Sequence, residues 1–135
     1  AEFCGASHAN MRLRVFVQPD SAFRVWVARQ QEAPAAAAPE RGPLVERGQQ
    51  VFVRGACIAC HTIAGLPQAR GTVGPNLTHV GSRTTLAGAI LPNTTDYLRR
   101  WIVNAPSLKP GSLMPPMPLS DDDLTALVAY LQSLQ

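Results

Sequence analysis

CIACH, residues 57–61, is the stretch on which the reading of this chain turns. Two thiols at this spacing can each add to a haem vinyl group on the same ring face, and the next residue offers its imidazole to the iron. This is the pattern of c-type haem attachment. Its rivals need more than the chain supplies. A structural zinc site wants a second Cys-x-x-Cys or a pair of histidines, and the other two histidines, His8 and His79, are not spaced to help. A thioredoxin-like redox pair wants a βαβ setting, which is not visible here. Chance occurrence of so short a motif stays open on these five residues alone.

The whole composition narrows the classes. The chain has 135 residues, 46% of them apolar, enough for one packed domain with appendages. Its net charge of +3 comes from twelve scattered cations, and aromatics make up 6%. A nucleic-acid binder clusters its basic residues and interleaves aromatics, so no nucleic-acid partner is expected. No run of about 18 apolar residues is present, so no membrane span is expected in this stretch. Cys4 lies far from the Cys57–Cys60 pair, and three cysteines cannot all pair with one another.

Working outward from residue 57, LVERGQQVFVR (44–54) reads as a helix despite Gly48, which costs about 1 kcal/mol against alanine and marks close approach by another element. GTVGPNLTHVGSR (71–83) reads as loop, with His79 expected to be exposed and not a ligand. Residues 85–90 read as one or two helical turns. TDYLRRWIVN (95–104) reads as a helix, with Tyr97/Trp101 and Leu98/Ile102 as i, i+4 pairs, ended by Pro106. SLKPGSLMPPMPL (107–119) cannot be regular. The final helix is the clearest: Ser120 as N-cap, Asp123 three residues on, Asp121–Asp123 at the positive helix end, and an apolar stripe through Leu124, Leu127, Val128, Leu131 and Leu134. Upstream, QEAPAAAAPERGP (31–43) reads as a linker of coil and polyproline. MRLRVFV (11–17) alternates as a half-buried strand, and Ser21 is placed to cap a short helix presenting Phe23, Trp26 and Val27.

A low-spin electron carrier needs a sixth iron ligand, and methionine thioether is the high-potential partner of histidine. KPGSLMP (109–115) supplies one, and here residues 43–135 resemble the class I cytochromes c over their whole length. The resemblance implies a mainly α fold, three to five helices around one covalent haem c. Cys57 and Cys60 would hold the haem, with His61 and Met114 as axial ligands and Met117 as the fallback. GPNL (74–77) implies that the Pro75 carbonyl accepts a hydrogen bond from His61. Gly48 and Phe52 match the crossing point of the first helix with Tyr130 of the last. Tyr97, Trp101 and Arg83 would belong to the haem pocket, Trp101 and more weakly Arg83 towards a propionate.

The opening AEFCGASHANM (1–11) carries Cys4, His8 and Met11. Their spacing, with Glu2 just before, resembles the end of the binuclear copper (CuA) motif of cytochrome c oxidase subunit II. The first cysteine of that motif would lie immediately before residue 1, and Glu2 would lend a backbone carbonyl. Two bridging thiolates are needed and one is present, so copper is not expected in this stretch; CuA copper would belong to the intact subunit. The resemblance as a whole is to a subunit II of a caa3-type haem–copper oxidase. It divides the chain into 1–30, a cupredoxin remnant of strand and short helix; 31–43, the linker; and 44–135, the cytochrome c domain.

That resemblance implies electron transfer and no catalysis by the chain itself. Electrons would come from a soluble donor, a cytochrome c or small iron–sulfur protein, and go to CuA and oxidase subunit I. The intact subunit would be membrane-anchored, on the periplasmic side of the bacterial cytoplasmic membrane, while this stretch is expected to be soluble. Residues 43–135 carry Arg47, Arg54, Arg70, Arg83, Arg99, Arg100 and Lys109 against Glu46, Asp96, Asp121, Asp122 and Asp123, a net +2 with no dense basic ring. A mostly apolar docking face near Leu113, Pro115 and Pro116 is therefore expected. The alternative is a five-coordinate haem c sensor or peroxidase-like protein, which requires that Met114 not bind iron.

Overall fold

The computed structural model describes residues 2–32 and 42–135. In chain order the elements are α1 (Asp20–Gln31), α2 (Pro43–Arg54), α3 (Cys57–Cys60), the strands β1 (Thr85–Leu86) and β2 (Leu91–Pro92), α4 (Thr95–Leu108) and α5 (Asp121–Gln132). Short 3-10 turns sit at His8–Asn10 and Val80–Ser82. Most of the expected linker, residues 33–41, lies outside the described residues.

The frame is the crossing of α2 and α5. Pro43 stands at the start of α2, where its missing N–H costs nothing, and Arg54 suits the negative end. Gly48 is buried at the crossing: a Cβ there would lie 2.0 Å from the Ala126 carbonyl oxygen and 2.6 Å from Tyr130 Cβ. Only a residue without a side chain lets the two backbones come so close. One turn on, Phe52 and Tyr130 meet with ring centroids 5.9 Å apart, both 1% exposed. Arg47 Nη2 donates to Asp123 Oδ1 at 2.8 Å, tying α2 to the first turn of α5. That bond, with one from Ser120, holds the Asp123 carboxyl below its ordinary value. Ser120 Oγ in turn accepts from Asp123 N at 3.2 Å, so the cap forms as the sequence spacing predicts.

α4 packs against α5 through Leu98 and Ile102, which join Leu127, Leu131 and Leu134 in the core. Each such side chain contributes about 1.5–3 kcal/mol on burial. Arg99 adds a surface tie, bonding Thr125 Oγ1 at 2.8 Å and the Asp121 carboxylate. The helix does not simply stop at Pro106. It breaks two residues earlier, at Asn104 (φ −158°, ψ 81°), whose Oδ1 accepts from Ser107 N at 3.2 Å. Asn104 thus caps a second short helical segment, and Pro106 stands in its first turn, where a proline is tolerated.

Three further expectations are corrected. Residues 85–90 are not helical turns but a tight antiparallel hairpin, Thr85 opposite Pro92 and Leu86 opposite Leu91. Its turn runs through Ala87, Gly88 and Ala89 at φ 57°, 73° and 63°, the left-handed region, which no right-handed helix can contain. Residues 11–17 form no strand, and the cupredoxin-like strand is absent among the described residues. Both faces of the alternating stretch are exposed, Val17 at 94% on one and Phe16 at 61% on the other. An extended segment needs a neighbouring strand to pair its backbone, and none stands beside this one. Ser21 does not cap α1. The helix starts two residues earlier than such a cap implies, at Asp20, behind Pro19, and Asp20 accepts from Arg24 Nε at 2.8 Å.

Candidate cofactor site

The Cys-x-x-Cys-His stretch is a single helical turn, α3, ending in an extended His61 (φ −114°, ψ 145°). The i, i+3 spacing puts both thiols on one side of that turn. Both cysteines are unpaired and partly buried. Burial pushes the Cys57 thiol up from its ordinary value, and the neighbouring Cys60 thiol adds to the rise.

The loop after α3 is built to hold the histidine. Gly71 presses on the α3 backbone, where a Cβ would sit 2.4 Å from the Ala59 carbonyl oxygen. Thr62 Oγ1 donates to the Gly71 carbonyl at 2.7 Å, Gly74 N to the Cys60 carbonyl at 2.7 Å, and Leu77 N to the Thr62 carbonyl at 2.8 Å. Residues 74–77 are thereby pinned alongside residues 60–62. His61 Nδ1 lies 2.8 Å from the Pro75 carbonyl oxygen, so Nδ1 carries the proton and donates, and Nε2 is left with a free lone pair. Gly74 lies against the ring; a Cβ there would be 2.5 Å from Cε1 and 2.7 Å from Nδ1. Sequence reasoning passed over this glycine, although its place directly before Pro75 was the available signal.

His61 opens into a cavity of about 1620 Å³, lined by Cys60, Pro75, Arg83, Trp101 and Met114 among others. That volume exceeds the ~300–1,000 Å³ of ordinary small-molecule pockets. Met114 thus shares the cavity with His61. Met117 does not line it; it packs against the core, its N–H bonded to the Val103 carbonyl at 3.2 Å. Tyr97, expected in the pocket, lies outside its lining, with the Arg100 guanidinium 5.2 Å from its ring centre. On α4 it stands one turn from Trp101, which does line the cavity. Cys57 also falls outside the lining and rests on the core. Partial enclosure pushes the Arg83 guanidinium down from its ordinary value, an environment that suits an anionic neighbour. Lys109 Nζ donates to the Ala87 carbonyl at 3.1 Å, joining the start of the methionine loop to the hairpin.

His79 departs from expectation. It is not an exposed loop residue: it is half-buried beside the cavity, and both ring nitrogens are buried with no hydrogen-bond partner among the described residues. Its neighbours in sequence are held from both sides, Thr78 by Asn76 and Ala64, and Gly81 by the Leu134 carbonyl at 2.7 Å.

At the other end of the chain, the structure brings Cys4, His8 and Met11 together. Cys4 Sγ is 2.8 Å from Met11 Sδ and 3.5 Å from His8 Nδ1, on an exposed segment. Glu2 is exposed beside them. Among the described residues, no three His, Cys, Asp or Glu side chains form a metal-holding group. Ser7 Oγ donates to the Pro110 carbonyl, so this segment touches the methionine loop.

A helical frame closed by a glycine crossing, a thiol-bearing turn ending in an oriented histidine, and a large cavity with a methionine on its wall define a small haem-carrying electron-transfer domain. Residues 45–135 match the family model described as Cytochrome c, and the chain belongs to the cytochrome c family. Over its whole length it is also similar to proteins named cytochrome c oxidase subunit 2. It is 38% identical to that of Alkalihalophilus pseudofirmus, 34% to that of Bacillus sp. (strain PS3) and 30% to that of Bacillus subtilis. The chain spans 38% of the length of each of these relatives. A cytochrome c domain implies haem c, and the cavity fits it on two observations of its own: the Nε2 of His61, left free by the Nδ1 bond to Pro75, and the Met114 thioether side chain on the wall of the same cavity.

Proposed function

We propose that this chain is the haem c domain of an oxidase subunit II, attached through Cys57 and Cys60, with His61 and Met114 as axial ligands. The observation that carries the reading is that His61 and Met114 line one cavity while Met117 lies outside it. Bound haem supplies one-electron chemistry between two iron oxidation states. The residues do the rest. The Pro75 carbonyl and the flat face of Gly74 hold the His61 ring in one orientation, with its proton on Nδ1. Met114 would hold bound haem through its thioether, leaving no place for a substrate and favouring the reduced state. The apolar wall provided by residues such as Leu98 and Ile102 excludes water and keeps the potential high.

The domain accepts an electron from a soluble donor, a cytochrome c or small iron–sulfur protein, and passes it to CuA for oxygen reduction at subunit I. Leu113, 90% exposed on the methionine loop, supports an apolar docking face. Cys4, His8 and Met11 are part of a CuA ligand set, with Glu2 lending a carbonyl. The copper pair also requires a second bridging thiolate, so copper belongs to the intact subunit. Two atoms of copper per chain in this stretch alone would overturn that part. The subunit faces the periplasmic side of the cytoplasmic membrane; no helix among the described residues is long and apolar enough to cross it.

The test is a pair of variants. Met114→Ala leaves haem attached, lowers its potential and admits external ligands such as cyanide; Met117→Ala does none of these. The reverse pattern would overturn the ligand assignment.

A further inference from the structure

Ser7 stands at the N-cap position of the His8–Asn10 turn, yet its side chain makes no capping bond there. Its hydroxyl is donated instead to the Pro110 carbonyl, 103 residues away in sequence. The local geometry of the methionine loop leaves that acceptor to an outside donor. Pro110 and Gly111 are the central pair of a turn closed by Ser112 N to the Lys109 carbonyl at 3.1 Å. Gly111 has φ 84°, the left-handed value that a type II turn requires at its third residue. The closing bond uses the carbonyl of Lys109, not that of Pro110.

Two further contacts extend this one. A Cβ on Gly111 would sit 3.7 Å from the Ala6 Cβ, an ordinary van der Waals distance. A Cβ on Gly88, in the hairpin turn, would sit 3.9 Å from the Arg12 carbonyl oxygen and 3.5 Å from Lys109 Nζ. Lys109 already binds the hairpin to the methionine loop through the Ala87 carbonyl. The two turns thus form one platform, and residues 6–12 lie along it. Past Arg12 the segment runs on to the cavity, which Leu13, Phe16 and, on α1, Trp26 line together with His61 and Met114. Leu113, two residues past Gly111, is left 90% exposed.

Ser7 lies between Cys4 and His8, so the place where Ser7 is held is also the place of the loop that bears them. We propose that the platform of residues 87–88 and 109–111 is the docking face of the copper-bearing domain, and that the Leu113 side of the same loop is left to the soluble donor. The inference rests on the reading of Cys4, His8 and Met11 as copper ligands given under the proposed function. Partners that shared one patch would have to take turns on the haem domain. Partners on adjoining patches can be bound together, and a change at one patch leaves the other working.

The first measurement uses the full haem-loaded chain in its ferrous state. Proton NMR shows an Overhauser contact between the Ala6 methyl and the Gly111 α protons. Ser7→Ala lowers the docked-to-free ratio of the segment about two- to tenfold, the span of one ordinary hydrogen bond, and Ala6→Trp, which fills the contact, abolishes it. If the contact is absent and residues 4–10 relax as a free tail, the proposal is overturned while the haem reading stands. The second measurement uses the intact oxidase. There Ser7→Ala and Ala6→Trp keep the copper pair, slow the passage of one electron from the haem iron to it, and leave the rate with a ferrous soluble cytochrome c unchanged. An onward rate that neither variant alters, or a donor rate that falls with it, overturns the proposal. If Cys4→Ser leaves the copper pair in place, the copper reading has failed and takes the docking assignment with it, although the contact itself stands. If the unsubstituted chain shows no thioether-bound haem after denaturation, the haem reading has failed.

Discussion

Gly74 is the position at which a single methyl group tests how the site holds its histidine. Its φ lies outside the left-handed region, so alanine is tolerated by the backbone and any effect is steric. The added Cβ would lie 2.5 Å from His61 Cε1 and 2.7 Å from Nδ1. Carbon atoms rest at about 3.5 Å or more, so the ring must retreat by about 1 Å. The Nδ1 to Pro75 oxygen distance is 2.8 Å. Taken up wholly by the ring, the movement carries that distance to about 3.8 Å, past the reach of a hydrogen bond. Losing the partner that orients a metal-bound histidine costs about 10- to 100-fold in affinity. Protons compete with iron for the same ring nitrogen. The acid transition in which His61 leaves the iron should therefore move up by about 1–2 pH units, the logarithm of that factor. The assay is an absorbance titration of the haem-loaded full chain and its Gly74→Ala variant, following the change to the high-spin spectrum. A shift below about 0.3 unit would show that the ring yields without loss and that the Pro75 bond does not hold it.

Other expectations follow from the frame and the surface. Gly48→Ala should destabilise the domain by about 3 kcal/mol, net of a helix-propensity gain of about 1, because backbone and Tyr130 Cβ block the new methyl; denaturant melts check this, and a change under about 0.5 kcal/mol would refute the close crossing. Asp123 has a depressed carboxyl in the folded state, so its bond to Arg47 stabilises at pH above the ordinary value of 3.8 and fades as pH falls through and below it. Asp123→Asn should flatten that acid-side loss, and equal slopes in melts across about pH 5 to 3 would contradict the pairing. Rates with a soluble donor should depend only weakly on salt and fall for Leu113→Lys; a steep salt dependence would point to a charged docking face.

The legible parts of this chain were those in which chemistry is local. GPNL announced the Pro75 carbonyl that meets His61 within a few residues of sequence, and the Ser120 cap needs only its own helix. Gly48 announced its crossing because a mid-helix glycine is costly unless something needs the space. The illegible parts depended on distant neighbours. MRLRVFV alternates as a strand does, yet no strand stands beside it to accept its hydrogen bonds. The 85–92 hairpin was hidden because two of its three left-handed residues are alanines, which ordinarily avoid that conformation. Asn104, read as the last residue of a helix, is instead a cap for the segment holding Pro106. His79 sits in a polar stretch and looked exposed; its burial comes from the cavity wall, which sequence spacing does not report.

The central claim is a haem closed on both sides, by His61 and Met114. Its most direct test is the absorption spectrum of the oxidised haem-loaded chain in the long-wavelength region. The account predicts the weak band of a methionine–iron bond, lost in Met114→Ala and kept in Met117→Ala. Attached haem that lacks the band and binds cyanide readily would contradict it, and would mark an open site suited to a sensor or a peroxidase.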